Sequence, residues 1–237
     1  MLRVIVPLYC CCFWVLGSSA EVITAFVILP QNDSYLISIE KTKAVFHLAS
    51  SAAESILPSY QFKFVFRDDK CEPDLAMQRA VTANQCHQGE QNRANVIFGP
   101  MCEFCVAQVA RVIKFWSIPM ISTGGLTFDF SKPKTEPETE FFLLVRLGML
   151  DFLKMSLALV SIFERYGWHR VLLVYEKDGC MWLAGKWTCK LMMETLVELF
   201  KTKEIVFDAI DISRHRDIPL YEILNRENLN YSSKPYW

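Results

Sequence analysis

The sequence predicts an α/β fold of doubly wound, mainly parallel sheets. Short apolar runs alternate with segments of helical periodicity from residue 22 to residue 210. The stretches between successive runs are long enough to hold a helix, which a parallel crossover requires. Runs such as 22–29 and 170–175 are nearly continuous rather than alternating, as expected of strands covered on both faces. With 52% apolar residues in 237, the chain has ample material for a core.

Residues 22–29 form the first strand and 30–34 a turn. Residues 37–56 read as a helix, with Phe46, Ala49, Ala53 and Ile56 spaced by three and four along one stripe. The second strand, 61–66, is closed by a charged loop of Arg67, Asp68, Asp69, Lys70 and Cys71, in which the two aspartates read as solvated. A helix over 73–85 follows, with Pro73 suited to its first position. Residues 96–98 and 119–122 are the third and fourth strands. The polar, proline-containing stretch 131–140 is a surface loop or the approach to an interlobe crossing. Residues 141–145 form a strand, 149–166 a helix stopped by Gly167, 170–175 a strand, 186–200 a helix and 204–210 a strand. A short helix after residue 217 and a polar tail over 230–237 complete the chain, with no internal repeat.

Residues 1–20 carry Arg3, an apolar stretch too short to be a good membrane span, and the small residues Ser18, Ser19 and Ala20, which read as a cleavable signal peptide. Its removal takes three of the nine cysteines and leaves Cys71, Cys86, Cys102, Cys105, Cys180 and Cys189. An even count in an oxidising compartment points to disulfides, with the connectivity open. Sequons at Asn32 and Asn230 fit a glycosylated surface. Loss of Arg3 leaves 24 basic against 26 acidic residues, scattered along the chain, so nothing marks a nucleic-acid surface. No nucleophile elbow, phosphate loop, dinucleotide fingerprint or zinc-protease motif occurs, and the four histidines are scattered. The chain reads as a non-enzyme without cofactor or metal.

The most informative stretch is 95–125: an apolar run, Gly99-Pro100-Met101-Cys102, an amphipathic helix and a second apolar run. Val106, Val109, Ala110, Ile113 and Trp116 make the core stripe of that helix. Phe104, Gln108, Arg111 and Lys114 fall on the other side, pointing together away from the core. A redox reading of Cys102-x-x-Cys105 and a zinc set of Cys86, His87, Cys102 and Cys105 are both disfavoured, since the surrounding pattern is not thioredoxin-like and the chain reads as secreted.

These segments carry a resemblance. Leu29-Pro30 with Asn32 to Tyr35, Phe98 to Phe104, Val109-Ala110-Arg111, Ile118 to Gly125, and Tyr166-Gly167-Trp168 leading into 171–175 resemble the extracellular domain of natriuretic peptide receptors and related receptor guanylyl cyclases, of the type I periplasmic-binding-protein superfamily. The resemblance covers roughly residues 22–200. It implies two lobes, with residues 21–148 as the first lobe and 149–237 as a partial second lobe with an irregular tail, because the family ectodomain is roughly twice as long. The family's cyclase activity resides in an intracellular domain that this chain lacks.

The resemblance further implies a Cys71–Cys102 disulfide, which closes a loop of about 30 residues and contributes roughly 3 kcal/mol by the chain-entropy model. Cys189 matches a family cysteine whose partner lies farther downstream; here it is free, paired with Cys180 or bonded to another chain. Cys86 and Cys105 lie outside the family pattern and are candidates to pair with each other. Family positions matching Phe104 and Arg111 contact a peptide hormone held between two receptor chains, and Glu194 is the retained polar position near Cys189, where Trp187, Thr188 and Lys190 otherwise match poorly. In natriuretic receptors a chloride sits beside the disulfide, held by a serine hydroxyl and by backbone N–H groups matching Met101 and Cys102. Asp69 stands at the serine position, and its carboxylate would repel an anion, so the turn could serve Asp69 itself.

The expectation is therefore an extracellular, peptide-binding, dimeric receptor ectodomain on the secretory route, present in part and attached to a membrane only through a missing C-terminal region. A second reading is a small-molecule or amino-acid sensor using Ser122 and Thr123, as in amino-acid-binding relatives. A third is a secreted decoy, or a splice or gene-model fragment without binding function.

Overall fold

The computed structural model describes residues 21–85, 93–134, 136–148 and 151–231, with side chains of the last helix described as far as Arg226. The expected signal peptide, Cys86 with its suggested pairing to Cys105, His87 and the side chain of Asn230 lie outside the described residues. The expected lobe boundary at 148/149 also falls at their edge.

Five parallel strands form the first sheet: β1 (Glu21–Leu29), β2 (Tyr60–Asp68), β3 (Val96–Phe98), β4 (Met120–Ser122) and β5 (Leu144–Arg146), in the order β2-β1-β3-β4-β5. The helices α1 (Ile39–Ile56), α2 (Pro73–Ala83) and α3 (Glu103–Ile113) are the crossovers between β1, β2, β3 and β4. A smaller sheet pairs β6 (Arg170–Tyr175) in parallel with β7 (Val206–Asp211), accompanied by α4 (Phe152–Tyr166), α5 (Met181–Ala184), α6 (Thr188–Thr202) and α7 (Leu220–Tyr231). The α/β, doubly wound, parallel architecture is the one the apolar alternation predicted.

Several elements differ from the sequence reading for identifiable reasons. β2 runs two residues past its expected end because it pairs with β1 along its whole length, from Glu21 opposite Tyr60 to Leu29 opposite Asp68; Arg67 and Asp68 are strand, not loop. Helix α1 begins at Ile39, capped by the Ser38 hydroxyl, which accepts from the Lys41 N–H. Its expected core stripe is only partly covered. Phe46 packs against Phe64, Phe66 and Phe98, while Ala49 and Ile56 face solvent, because the far end of α1 has little opposite it. β5 starts at Leu144 rather than Phe141, whose ring is buried against Phe130 at 4.6 Å.

Helix α4 starts at Phe152, where the Asp151 carboxylate caps it by accepting from the Lys154 N–H at 2.7 Å. The helix expected over 186–200 is α6, two residues later at each end, and a short helix, α5, precedes it where none was expected. α5 is a single short turn, Gly185 to Trp187 break the path, and α6 begins only at Thr188. α7 carries the last helix through Tyr231, beyond the expected onset of the tail.

Two apolar clusters anchor the molecule. The first lies between the five-stranded sheet and its helices, around Val27, Ile28, Ile97, Val106, Val109 and Ile113. The second gathers Val160, Leu173, Leu196, Phe200 and Ile205 about the small sheet. Phe200 is its largest fully buried side chain, with ring contacts to Phe163 and Phe207 at 5.8 Å each. Phe200→Ala should therefore destabilise the chain by about 3–5 kcal/mol. Urea unfolding followed by far-ultraviolet dichroism measures this, and a loss below about 1 kcal/mol would show that the second cluster does not behave as a packed core.

Candidate functional site

In the strand order β2-β1-β3-β4, the connection after β1 runs to one side and that after β3 to the other, so the carboxyl ends of β1 and β3 flank a topological switch point, where open α/β sheets place ligands. Three turns meet there: Pro30 after β1, Asp69 to Cys71 after β2, and Gly99 to Cys102 after β3. The Gly99–Pro100 peptide is cis. Gly99 has φ +85°, and a Cβ there would lie 2.1 Å from the Ile28 carbonyl oxygen, so only glycine lets β3 turn this close to β1.

Cys71 and Cys102 form the disulfide that the resemblance implied, with their Cα atoms 5.7 Å apart. The Cys105 sulfur lies within 4.8 Å of both. The disulfide occupies two of these three sulfurs, and burial, with smaller contributions from Asp69 and Glu72, pushes the Cys105 thiol far up. A thiol held protonated in this way is neither an attacking group nor a ready metal ligand, which argues against both the redox and the zinc readings.

Asp69 is fully buried, which corrects its reading as a solvated loop residue. Its Oδ1 accepts from the Cys71 N–H at 2.9 Å, so the donor is its own turn rather than Met101 or Cys102. Its Oδ2 has no hydrogen-bond partner. Burial raises its pKa to about 6; the Cys71 N–H opposes this and the neighbouring Asp68 charge adds to it. A buried carboxylate with an unpartnered oxygen beside the disulfide does not fit a chloride there, since ionised it repels an anion.

Beyond the disulfide opens a cleft of about 220 Å³ lined by Cys71, Glu72, Pro73, Cys102, Glu103, Phe104, Cys105, Lys186 and Trp187. One wall is the start of α3. There the buried Glu103 carboxylate accepts from the Leu126 and Thr127 N–H groups at 3.0 and 3.2 Å, and burial pushes its pKa up. The opposite wall is a strap running from α5 into α6. Gly185, at φ +93°, lies flat on the disulfide: a Cβ there would stand 2.8 Å from the Cys71 sulfur and 3.1 Å from that of Cys102. Lys186 reaches Glu72 at 3.2 Å. Trp187 adopts φ 62°, uncommon for a bulky residue, and meets the Phe104 ring edge-on at 5.1 Å, with Lys177 over its own ring at 5.2 Å.

Phe104 is thus half-buried under Trp187 rather than free on the outer face of α3. Arg111, two turns along the same helix, is exposed, bonded to Glu140 and stacked over Phe141. Glu194 is exposed and paired with Lys190 at 3.2 Å, and lines a separate hollow beside Tyr175, Met193 and Val197. The structure therefore brings Phe104 to the cleft, leaves Arg111 two turns farther along α3 against Glu140 and Phe141, outside the cleft lining, and sets Glu194 apart. Ser122 is buried and its hydroxyl is engaged: it donates to the Pro100 carbonyl at 2.5 Å and accepts from the Gly124 N–H at 2.9 Å, while Thr123 is exposed at the strand end. Asn32 is exposed in the turn after β1. Trp187, with Lys186 and Glu72, was not read from the sequence as part of the site; the signal available was Gly185 two residues before a tryptophan at a helix start.

A family model for the receptor family ligand binding region matches residues 43–212. The chain belongs to that family. It is similar to atrial natriuretic peptide receptor 3 of Mus musculus, 26% identical over 213 residues, covering 87% of this chain and 37% of the receptor. The receptor of the same name in Bos taurus is 27% identical over 209 residues, covering 85% of this chain and 36% of the receptor. The receptor-type guanylate cyclase gcy-20 of Caenorhabditis elegans is 30% identical over 131 residues, covering 54% of this chain and 11% of the cyclase. The chain thus spans little more than a third of the natriuretic receptors it matches.

Among solved structures, an ABC transporter substrate-binding protein from Desulfitobacterium hafniense superposes with TM-score 0.61 at 13% identity, over 88% of this chain and 56% of its own. The leucine-binding protein LivK of Thermotoga maritima superposes with TM-score 0.56 at 14% identity, over 86% of this chain and 54% of its own. These fix the fold as type I periplasmic-binding-protein-like. The matched region is a ligand-binding one, not a catalytic one. Among the described residues no helix is long and apolar enough to cross a membrane.

The buried Asp69 makes stability depend on pH in a defined direction. Its folded pKa lies above the unfolded value, so the folded state binds its proton more tightly and stability is lost as pH rises from about 4 through about 6. Asp69→Asn keeps the oxygen that accepts from Cys71 and removes the charge. It should be more stable than the parent at pH 7.5 by about 1–3 kcal/mol, the gap closing near pH 4. Paired denaturation curves across that range measure it, and a gap independent of pH would exclude an ionised Asp69 as its source.

Proposed function

We propose that the chain is an extracellular ligand-recognition region of the natriuretic-peptide-receptor kind, binding a peptide along α3 from the cleft walled by Phe104 and Trp187 to Arg111, two turns farther on. The observation that carries this is the cleft's size and make-up. At about 220 Å³ it lies below the roughly 300–1,000 Å³ of whole small-molecule pockets, yet it has room for one large apolar side chain of a longer ligand. Its aromatic walls suit such an anchor. Arg111 adds a cation outside it, and the exposed pair it makes with Glu140 is the kind worth no more than about 1 kcal/mol, so a ligand carboxylate can take its place. The engaged Ser122 hydroxyl favours this reading over a small molecule at the strand end.

The Cys71–Cys102 disulfide and the exposed sequon Asn32 support a secretory route and an extracellular location. Signalling would proceed by ligand-biased rearrangement of lobes or of a receptor homodimer rather than by chemistry in this region.

Calorimetric titration of the secreted chain with atrial natriuretic peptide and, separately, with leucine tests the reading. Peptide binding that Phe104→Ala weakens about ten- to a hundredfold, and that Arg111→Ala weakens mainly at low salt, is the expected result. Binding of leucine alone, or peptide binding indifferent to Phe104→Ala in a normally folded variant, would overturn it.

A further inference from the structure

Glu103 opens α3 beside Phe104 and lines the cleft, yet both of its carboxylate oxygens are engaged by the loop after β4. Oε1 accepts from the Leu126 N–H at 3.0 Å and Oε2 from the Thr127 N–H at 3.2 Å. Leu126 is bonded on its other side as well: its carbonyl accepts at 2.9 Å from the N–H of Phe152, the first residue of α4. Two hydrogen bonds through one residue therefore join the head of α3 to the head of α4. A second connection runs beside them. Arg146 donates from Nη1 to the Gly125 carbonyl at 2.7 Å and from Nη2 to Asp151 Oδ2 at 2.9 Å, and Asp151 caps α4.

The loop between the two helix heads has little slack. Gly124 presses on the turn after β3, where a Cβ would lie 2.2 Å from the Met101 carbonyl oxygen. Glu103 and Phe152 are 5% and 4% exposed, so water does not compete for the bonds they make. A shift at the head of α3 is thus passed on to α4 rather than absorbed between them.

From α4 the packing leads back to the cleft on its other side. Val160 and Phe163 of α4 pack against α6, with the Phe163 and Phe200 rings 5.8 Å apart, and α6 continues the strap that carries Trp187. The circuit from Phe104 through Glu103, Leu126, α4 and α6 to Trp187 closes where the Phe104 and Trp187 rings meet at 5.1 Å.

We propose that Glu103 is the positioning residue of the cleft: its carboxylate clamps α3 to α4 and so sets the gap between Phe104 and Trp187 that a ligand side chain enters. The gap's use by a ligand rests on the peptide reading above; the clamp does not. A carboxylate suits the task because it offers an acceptor to each of two neighbouring N–H groups. An amide at this position offers one oxygen, and its NH2 would meet the second N–H donor against donor.

Amide hydrogen exchange resolved by residue, measured by NMR on the secreted parent, Glu103→Gln and Glu103→Asp, tests the clamp without ligand. Glu103→Gln should raise exchange at Leu126, Thr127 and Phe152 together by about tenfold or more, with Val27 and Ile28 of β1 unchanged. Glu103→Asp keeps both acceptors and should raise it less. A rise at Leu126 and Thr127 without Phe152 would confine Glu103 to its own loop, and a uniform rise that includes β1 would reduce it to general stability; either result overturns the proposal. Calorimetric titration of the same three proteins with atrial natriuretic peptide tests the gap. Affinity should fall about tenfold in Glu103→Gln and be partly restored in Glu103→Asp, although Phe104 and Trp187 remain in both. Unchanged affinity in Glu103→Gln would overturn the role in setting the gap. A parent that binds no peptide would sink the peptide reading, and exchange at Phe152 would still decide the clamp.

Discussion

The site depends on one cross-link over the end of β1. β2 and β3 flank β1, and the Cys71–Cys102 bond joins the turns that follow them, so the carboxyl ends of three adjacent strands are held as a unit. By the chain-entropy model the bond contributes roughly 3 kcal/mol through the unfolded state. Its structural effect is more local: it fixes where α3 begins, and hence where Phe104 stands, and it provides the flat floor on which Gly185 rests. Removing the bond would loosen both walls of the cleft together.

The same compactness explains the unusual charges nearby. Closing three turns over one another leaves little water, and two carboxylates, Asp69 and Glu103, are enclosed as a result. They are treated differently. Glu103 accepts two N–H donors from the loop after β4, which offset part of its burial and tie that loop to α3. Asp69 has one donor and a bare oxygen, so it remains a local cost in the ionised state. By contrast, burial pushes the Asp151 carboxyl upward, but the Lys154 N–H and the Arg146 guanidinium outweigh it and hold the group below its usual range. Burial pushes all three upward and wins at Asp69 and Glu103; only at Asp151, where a backbone N–H and the Arg146 guanidinium both face the carboxylate, do the opposing interactions set the sign.

What the sequence disclosed follows from the range of the forces involved. β1, β3 and β6 were legible because an apolar run bounded by turn residues is a local signal. The stripe on α1 was not, because whether Ala49 and Ile56 are covered depends on what packs opposite, and little does. β2 lengthened because register with β1, a long-range property, outweighs the charge of Arg67 and Asp68. At the site, the disulfide came from family likeness rather than from spacing. Helical periodicity put Phe104 and Arg111 on one side of α3, yet could not place Trp187 over Phe104, 83 residues away, or show that Asp69 is enclosed.

The two walls of the cleft differ in how firmly they are held. The α3 wall is anchored by the disulfide and by the fully buried Val106, Val109 and Ile113. The strap wall rests on an exposed Lys186–Glu72 pair, worth at most about 1 kcal/mol, one edge-on aromatic contact of about 0.5–1.5 kcal/mol, and hydrogen bonds near the surface. Against these stands Trp187 in a left-handed conformation that costs about 1–3 kcal/mol. The balance is small, so the strap is the adjustable wall and α3 the fixed one. A ligand side chain entering between Phe104 and Trp187 would replace their mutual contact with contacts of its own, and the strap's position would then follow occupancy. Because the strap continues directly into α6, which packs on the small sheet, it links the cleft covalently to the second cluster, beside the bonded path from Glu103 through Leu126 to Phe152 of α4.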